Sequence, residues 1–221
     1  MLKTILRYQL NLILIFNVLI LLTGCESAYY GTMEKLGYHK RDLMINRVET
    51  ARDAQQDAKE QFQSALEKFS NVLNFDGGEL QEKYDQLNSE YNRSQAKAET
   101  VRDRIAAVED VAGDLFEEWE TELDQYTNDS LRRSSARKLK QTKQQYAQLI
   151  GAMQRAEKKM DPVLSAFHDQ VLFLKHNLNA KAIASLQTEL ASIDAEVNTL
   201  IKEMEASIQE ANAFISAMEK E

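Results

Sequence analysis

The fold of this chain is decided by residues 80–119, which read LQEKYDQLNSEYNRSQAKAETVRDRIAAVEDVAGDLFEEW. In this stretch, apolar side chains recur at spacings that alternate between four and three residues, with one polar member at Ser94. The positions are Leu80, Tyr84, Leu87, Tyr91, Ser94, Ala98, Val101, Ile105, Val108 and Ala112, followed by Leu115 and Trp119. Because a spacing that averages about 3.5 residues keeps one helix face apolar over many turns, the stretch predicts a long helix in a left-handed supercoil.

Three further segments carry the same alternation of spacings. They run from Met44 to Val72, from Leu139 to Phe167 and from Ile183 to Met218. Gln55 and Ser207 are polar members of these series, which are otherwise mostly apolar or small. Each segment therefore predicts another long helix of the same kind.

Short polar or glycine-rich stretches separate the periodic segments. They read DGG at 76–78, TNDS at 127–130 and NLN at 177–179. Glycine favours the backbone conformation of a helix end, and Thr, Asn, Asp and Ser cap helix starts. We predict helices over 31–75, 79–127, 130–177 and 180–219. Because short loops make consecutive helices antiparallel, we predict an all-α, elongated, up-down-up-down four-helix bundle.

Two positions could interrupt these helices. Pro162 removes one backbone hydrogen bond, but the apolar series continues from Met160 to Phe167, so we expect a kink there rather than a break. The pair Gly113-Asp114 could break the second helix, because Asp114 and Glu117 have the spacing of a capping box. From the sequence, that alternative stays open.

The composition excludes several classes of protein. The chain has 221 residues, with one Pro, seven Gly and a net charge of −8. The scarcity of turn residues disfavours sandwiches, barrels and doubly wound sheets, and the negative charge argues against a nucleic-acid binder. A single Cys excludes an intramolecular disulfide and a cysteine-built metal cluster.

The sequence also lacks the common signatures of catalysis. It contains no P-loop, no Gly-x-Gly-x-x-Gly, no Glu-x-x-His and no His-Glu-x-x-His. Of the three histidines, His168 and His176 are two helical turns apart, about 12 Å, which is too far to share a metal ion. We therefore predict no enzyme, no catalytic or metal-binding residue, no cofactor and no small-molecule substrate.

The first 24 residues have a different character from the rest of the chain. Lys3 and Arg7 precede an apolar stretch, Leu10–Leu22, that is too short for a typical membrane-spanning helix. A positive start followed by a short apolar region and small residues predicts a secretory signal. The segment ends at Leu22-Thr23-Gly24-Cys25, and Cys25 is the only cysteine of the chain.

This four-residue sequence resembles the lipobox of bacterial lipoproteins. The resemblance implies that Cys25 receives a diacylglyceryl thioether, that the signal is cut before it, and that its new amine is acylated. It also implies that Glu26, in place of the Asp that commonly retains such proteins in the inner membrane, favours the outer membrane. The alternative is an uncleaved membrane anchor with a chance cysteine. We predict a signal peptide at 1–24, a lipid anchor and linker at 25–30, and a helical bundle at 31–221.

A basic run opens the third predicted helix. It consists of Arg132, Arg133, Arg137, Lys138, Lys140 and Lys143. One interpretation is contact with anionic head groups or an acidic partner. The other, which the spacing favours, is pairing across the second loop, with Arg133 opposite Asp124 and Arg137 opposite Glu120. Trp119 lies on the apolar series, so we expect it to fill the core.

The stretch that follows the predicted anchor is distinctive. It reads YY at 29–30, MEKLG at 33–37, HKRD at 39–42, RVE at 47–49, ARDAQ at 51–55 and AKEQF at 58–62. It resembles an uncharacterised family, known only as a domain of unknown function, found largely in marine and related Gram-negative bacteria. The resemblance covers the whole predicted mature chain and implies a helical envelope lipoprotein, but it supplies no activity, cofactor or site residue.

Two functional hypotheses remain. In the first, a non-enzymatic lipoprotein faces the periplasm and presents a rigid bundle as a spacer or interaction scaffold. In the second, an accessory or regulatory lipoprotein binds a transporter, a cell-wall enzyme or a surface assembly. Both predict membrane contact through the N-terminal lipid and an unknown protein partner in the envelope.

Overall fold

The computed structural model describes residues 40–73, 80–177 and 185–220. The long helices are α1 (Lys40–Leu73), α2 (Leu80–Leu123), α3 (Asp129–His176) and α4 (Leu190–Glu219), and no strand occurs within these ranges. The chain divides into two compact units, Met1–Leu43 and Met44–Glu221. The second unit contains α1 from Met44 onward and all of α2 to α4, and the predicted all-α class is confirmed.

Helix α1 lies beside α2 and α4 and runs antiparallel to both. The carboxylate of Asp57 contacts Lys97 of α2 at 2.7 Å, and Lys59 contacts Glu205 of α4 at 3.5 Å. Farther toward the N-terminus of α1, Arg52 donates a hydrogen bond to Asn212, which lies later in α4. Because the residue numbers in α4 rise as those in α1 fall, α1 and α4 run in opposite directions.

Helix α3 occupies the corner diagonal to α1. It packs along α2 and α4, and Arg155 reaches Glu203 of α4 at 3.5 Å. The Phe69 ring of α1 stacks on Phe167 of α3 with 4.5 Å between centroids, so these aromatic side chains meet across the core. This arrangement is the predicted four-helix bundle.

The predicted apolar series form most of the core. All eight α1 positions from Met44 to Phe69 are buried, including the polar Gln55. In α2 and α4, the polar members Ser94 and Ser207 are also fully buried. The periodicity therefore identified the inward face of each helix, whether the residue on it was apolar or polar.

The α2–α3 loop differs in length from the prediction. Helix α2 ends at Leu123 rather than 127, and the backbone N–H of Gln125 then bonds to the carbonyl of Glu122. The Asn128 side chain accepts hydrogen bonds from the N–H groups of Ser130 and Leu131, as expected for an N-cap. Because Asn128 must leave the helical conformation to cap α3, the preceding helix stops earlier than the run of polar residues suggests.

The other predicted helix ends fall partly outside the described residues. Residues 31–39, 74–79 and 178–184 lie outside them, and with them the predicted start of the first helix and the break at 76–78. Helix α4 proper begins at Leu190, after a short helical turn at 185–187, rather than at 180.

Neither suspected interruption breaks its helix. Helix α3 continues through Pro162, with Met160 and Val163 buried on either side. Helix α2 continues through Gly113, between the buried side chains of Ala112 and Leu115. Burial of apolar side chains on both sides offsets the roughly 1 kcal/mol that a helical glycine costs.

Candidate functional site

The strongest local concentration of positive charge lies where α2 turns into α3. We call residues 124–140 the hairpin tip. It contains two acids, Asp124 and Asp129, and five bases. The bases are Arg132, Arg133, Arg137, Lys138 and Lys140. The hairpin tip is therefore positive in a chain whose net charge is −8.

Only part of the basic run is neutralised by acids. Lys143 pairs with Glu120 at 2.6 Å, and Arg132 pairs with Asp129 at 3.3 Å. Within the described ranges, no ion pair joins an acid to any of the four remaining bases of the run. These are Arg133, Arg137, Lys138 and Lys140, and all four are exposed.

The predicted pairing across the loop is therefore wrong in its partners. Glu120 meets Lys143 instead of Arg137, and Asp124 is not within ion-pair distance of Arg133. The reason is the direction of the side chains. In a helix, side chains lean toward the N-terminus. Glu120 on α2 leans back toward the bundle, so it meets a lysine that lies farther along α3.

The inner side of the hairpin is held by aromatic contacts. The indole N–H of Trp119 donates a hydrogen bond to the Ser135 hydroxyl at 2.7 Å, and Trp119 is half-buried between α2 and α3. The Phe116 ring meets the Tyr146 ring edge-on at 5.4 Å, and Lys143 Nζ lies 5.4 Å from the Phe116 centroid. Trp119 thus joins the two helices, but it is half-buried and does not fill the core as predicted.

Tyr146 lies on the same inner side. Burial raises the pKa of its hydroxyl to about 12, and the negative charges of Glu109 and Asp110 contribute to the same direction. The phenol is therefore neutral at physiological pH. Because Tyr146 lies between α2 and α3, we infer that its role is to pack these helices together.

Two large apolar side chains at the hairpin tip face solvent. Leu131 is 57% exposed and Tyr126 is 41% exposed. Sequence reasoning missed both residues. A signal was present for Leu131, because the apolar series read backward from Leu139 passes through Ser135 and Arg132 and leaves Leu131 off the inward face.

Two shallow surface depressions accompany these residues. One is lined by Glu122, Gln125 and Tyr126. The other is lined by Glu120, Ala136, Leu139, Lys140, Lys143, Gln144 and Ala147. Both are open to solvent, so they offer a surface for contact rather than an enclosed pocket.

Comparison with known protein families identifies the family of this chain. The family model described as a protein of unknown function (DUF2959) matches residues 29–218. The chain belongs to this family. The match covers α1 to α3 and α4 as far as Met218, and it confirms the resemblance to a family of unknown function. It does not reach Leu22–Cys25, so the lipobox stays a prediction. No curated protein and no solved structure matches the chain.

In this DUF2959 member, other chemistry-bearing residues are dispersed. Cys25 and His39 lie outside the described residues. The His168 ring is half-exposed and lies 5.3 Å from the Tyr91 ring. No cluster of three or more His, Cys, Asp or Glu in the described ranges could hold a metal ion. None of the helices in those ranges has an apolar stretch long enough to cross a bilayer.

Proposed function

We propose that this protein is a non-enzymatic, lipid-anchored protein of the cell envelope that presents a rigid helical bundle to the periplasm as a spacer or interaction scaffold. The observation that carries the proposal is the extended packing of long antiparallel helices around one continuous core. Helix α3 alone has 48 residues, which corresponds to about 72 Å. The lipobox-like sequence at Cys25 supports attachment, and Glu26, in place of Asp, favours the outer membrane.

Attachment is tested at Cys25. The full chain, expressed in a Gram-negative host with labelled palmitate, should acquire label and acyl mass, and Cys25→Ser should lose both and leave an unprocessed precursor. Ser27→Ala, two residues away, is the control and should be labelled normally. Label that persists in Cys25→Ser would exclude lipidation at this residue.

A specific observation favours the accessory role as a second candidate. At the C-terminal end of α3, Leu172 is 46% exposed and Phe173 is 38% exposed, between the buried Val171 and Leu174. Contiguous exposed apolar surface marks contact sites for partner proteins, and these two adjacent side chains form a small patch of it.

Cross-linking in intact cells separates the two roles. One dominant, stoichiometric partner that is lost in the Leu172→Ser, Phe173→Ser variant supports the accessory role. Leu131→Ser, at the other end of α3, serves as the matched apolar control. A spacer should show no dominant partner with any of these variants.

A further inference from the structure

We infer that the hairpin tip binds an anionic lipid surface. Arg133, Arg137, Lys138 and Lys140 contact the phosphates, and Leu131 enters the boundary between head groups and acyl chains. The inference deepens the proposed function, on which it rests for the presence of a membrane beside the bundle. It adds a second membrane contact, made by the folded domain itself.

Charge complementarity identifies the kind of surface. The four bases are exposed and have no ion-pair partner among the described residues, whereas Lys143 and Arg132 are paired. In a chain with a net charge of −8, an unneutralised cationic end is attracted to anionic head groups while the rest of the bundle is repelled from them. The charge distribution therefore orients the hairpin tip toward the lipid.

In the antiparallel hairpin, the basic side chains of α3 and the acidic side chains of α2 lean in opposite directions along the bundle. Side chains lean toward the N-terminus of their own helix. At the start of α3, Arg133 and Arg137 therefore lean toward the end of the hairpin. At the end of α2, Glu117 and Glu120 lean back toward the bundle. The outermost surface of the hairpin is therefore more positive than a count of its acidic and basic residues indicates.

The exposed apolar residues distinguish a lipid surface from an acidic protein. Leu131 follows the N-cap Asn128 within the first turn of α3, and Tyr126 lies in the loop before it. Exposed Leu and Tyr flanked by Arg and Lys are typical of elements that lie in a membrane interface. The end of a hairpin offers a folded partner little area, whereas head groups can surround it.

The level of Met44, the first residue of the second compact unit, can be compared with that of the hairpin tip. Met44 lies thirteen residues before Asp57, and Asp110 lies thirteen residues after Lys97, the partner of Asp57. In antiparallel helices, these equal distances place Met44 near the level of Asp110, on the side from which α2 continues to the hairpin tip. Within the second unit, Met44 and the hairpin tip therefore lie toward the same end of the bundle.

The test measures contact between the hairpin tip and lipid through the fluorescence of a tryptophan placed in the loop. The full chain, with its single Trp moved into the loop (Trp119→Phe with Tyr126→Trp), is reconstituted in phosphatidylcholine nanodiscs with and without phosphatidylglycerol. We expect blue-shifted emission and quenching by acyl-chain-brominated lipid only in the anionic discs. High salt should reverse both effects, because it screens the attraction.

Charge reversal on α3 provides the matched comparison. Each base near an anionic surface changes the docking constant about fivefold, so Arg133→Glu with Arg137→Glu should lower it at least about thirtyfold and abolish quenching. Lys158→Glu with Lys159→Glu makes the same charge change at exposed positions farther along α3 and should preserve quenching. Circular dichroism should show equal helicity in all variants.

Each contrary result has a distinct meaning. Equal quenching in neutral and anionic discs, or equal loss in the two reversed variants, would overturn the inference. Cross-linking of the hairpin tip to an acidic protein without lipid-dependent quenching would assign these bases to that partner and also overturn it. Failure to co-elute with neutral discs would count against the anchor alone. Vesicles containing phosphatidylglycerol, added to the free chain, would still report binding by the hairpin tip.

Discussion

Gln61 of α1 donates its side-chain amide to the carboxylate of Glu90 on α2, with 2.9 Å between Nε2 and Oε2. Glu90 is buried and also pairs with Arg93, three residues later on the same helix. The Gln61 amide lies 3.4 Å from the Ser94 hydroxyl as well. A buried carboxylate therefore connects the first two helices through a small polar cluster in a largely apolar core.

Removing this carboxylate should destabilise the bundle. Glu90→Ala should lower the free energy of unfolding by about 2 kcal/mol, because charge-assisted hydrogen bonds are lost and the Gln61 amide is left without its acceptor. Glu99→Ala, at an exposed position of the same helix, should change it by less than about 0.5 kcal/mol. Urea unfolding measures both values, and equal effects would show that the Glu90 cluster contributes no stability.

Replacing Gln55 should have the opposite effect. Gln55 is fully buried in α1, and neither polar atom of its amide has a hydrogen-bond partner among the described residues. Gln55→Leu should raise the free energy of unfolding by about 1–2 kcal/mol, since an uncompensated polar group leaves the core. The exposed Gln95→Leu is the control for added hydrophobicity. A loss of stability in Gln55→Leu would show that the amide is satisfied in the folded protein.

The pairing at the hairpin can be measured by double-mutant cycles. Lys143→Ala and Glu120→Ala should show a coupling energy of about 0.2–1 kcal/mol, as expected for an exposed ion pair, and salt should weaken it. A parallel cycle with Arg137→Ala and Glu120→Ala should show no coupling. Coupling in the second cycle and its absence in the first would support the pairing predicted from sequence spacing.

Gly113 offers a simple gain in stability. It is exposed within α2, and an added Cβ would meet no atom within 4 Å. Gly113→Ala should therefore add about 1 kcal/mol, or roughly 2–4 °C in Tm for a chain of this size. At Gly151 the new Cβ would lie 3.6 Å from an Arg155 guanidinium nitrogen, an ordinary contact. Gly151→Ala should stabilise to a similar extent, and a lower Tm in both variants would contradict the helix assignment.

Stability should fall at high pH through Tyr146. Its pKa is raised from 10.0 to about 12 in the folded chain, so the unfolded state loses the proton first as the pH rises. The stabilisation is complete below pH 10 and is lost as the pH rises through the folded-state pKa near 12. Tyr146→Phe should remove this part of the pH dependence and the last step of the tyrosinate absorbance titration. Tyr126→Phe is the control and should retain that step.

The candidate site was only partly predictable from sequence. The basic run was visible as a local cluster, but its partners were not. Equal spacing from a loop suggested that Arg137 meets Glu120, whereas the lean of the side chains brings Lys143 there. By contrast, the exposure of Leu131 has a signal in the sequence, because the apolar series of α3 leaves this residue off the inward face.

The sequence by itself determined the helices, their inward faces and a helix start close to the capping run at 127–130, in which Asn128 caps α3. Each of these depends on residues within a few turns of one another: a repeat that alternates four and three, or a side chain that caps its own helix. Only the tertiary structure decided the Gln61–Glu90 contact, the bases left unpaired at the hairpin tip and the continuity of α2 through Gly113. These depend on side chains that come from different helices, or on burial against them, and no spacing along one segment specifies that geometry.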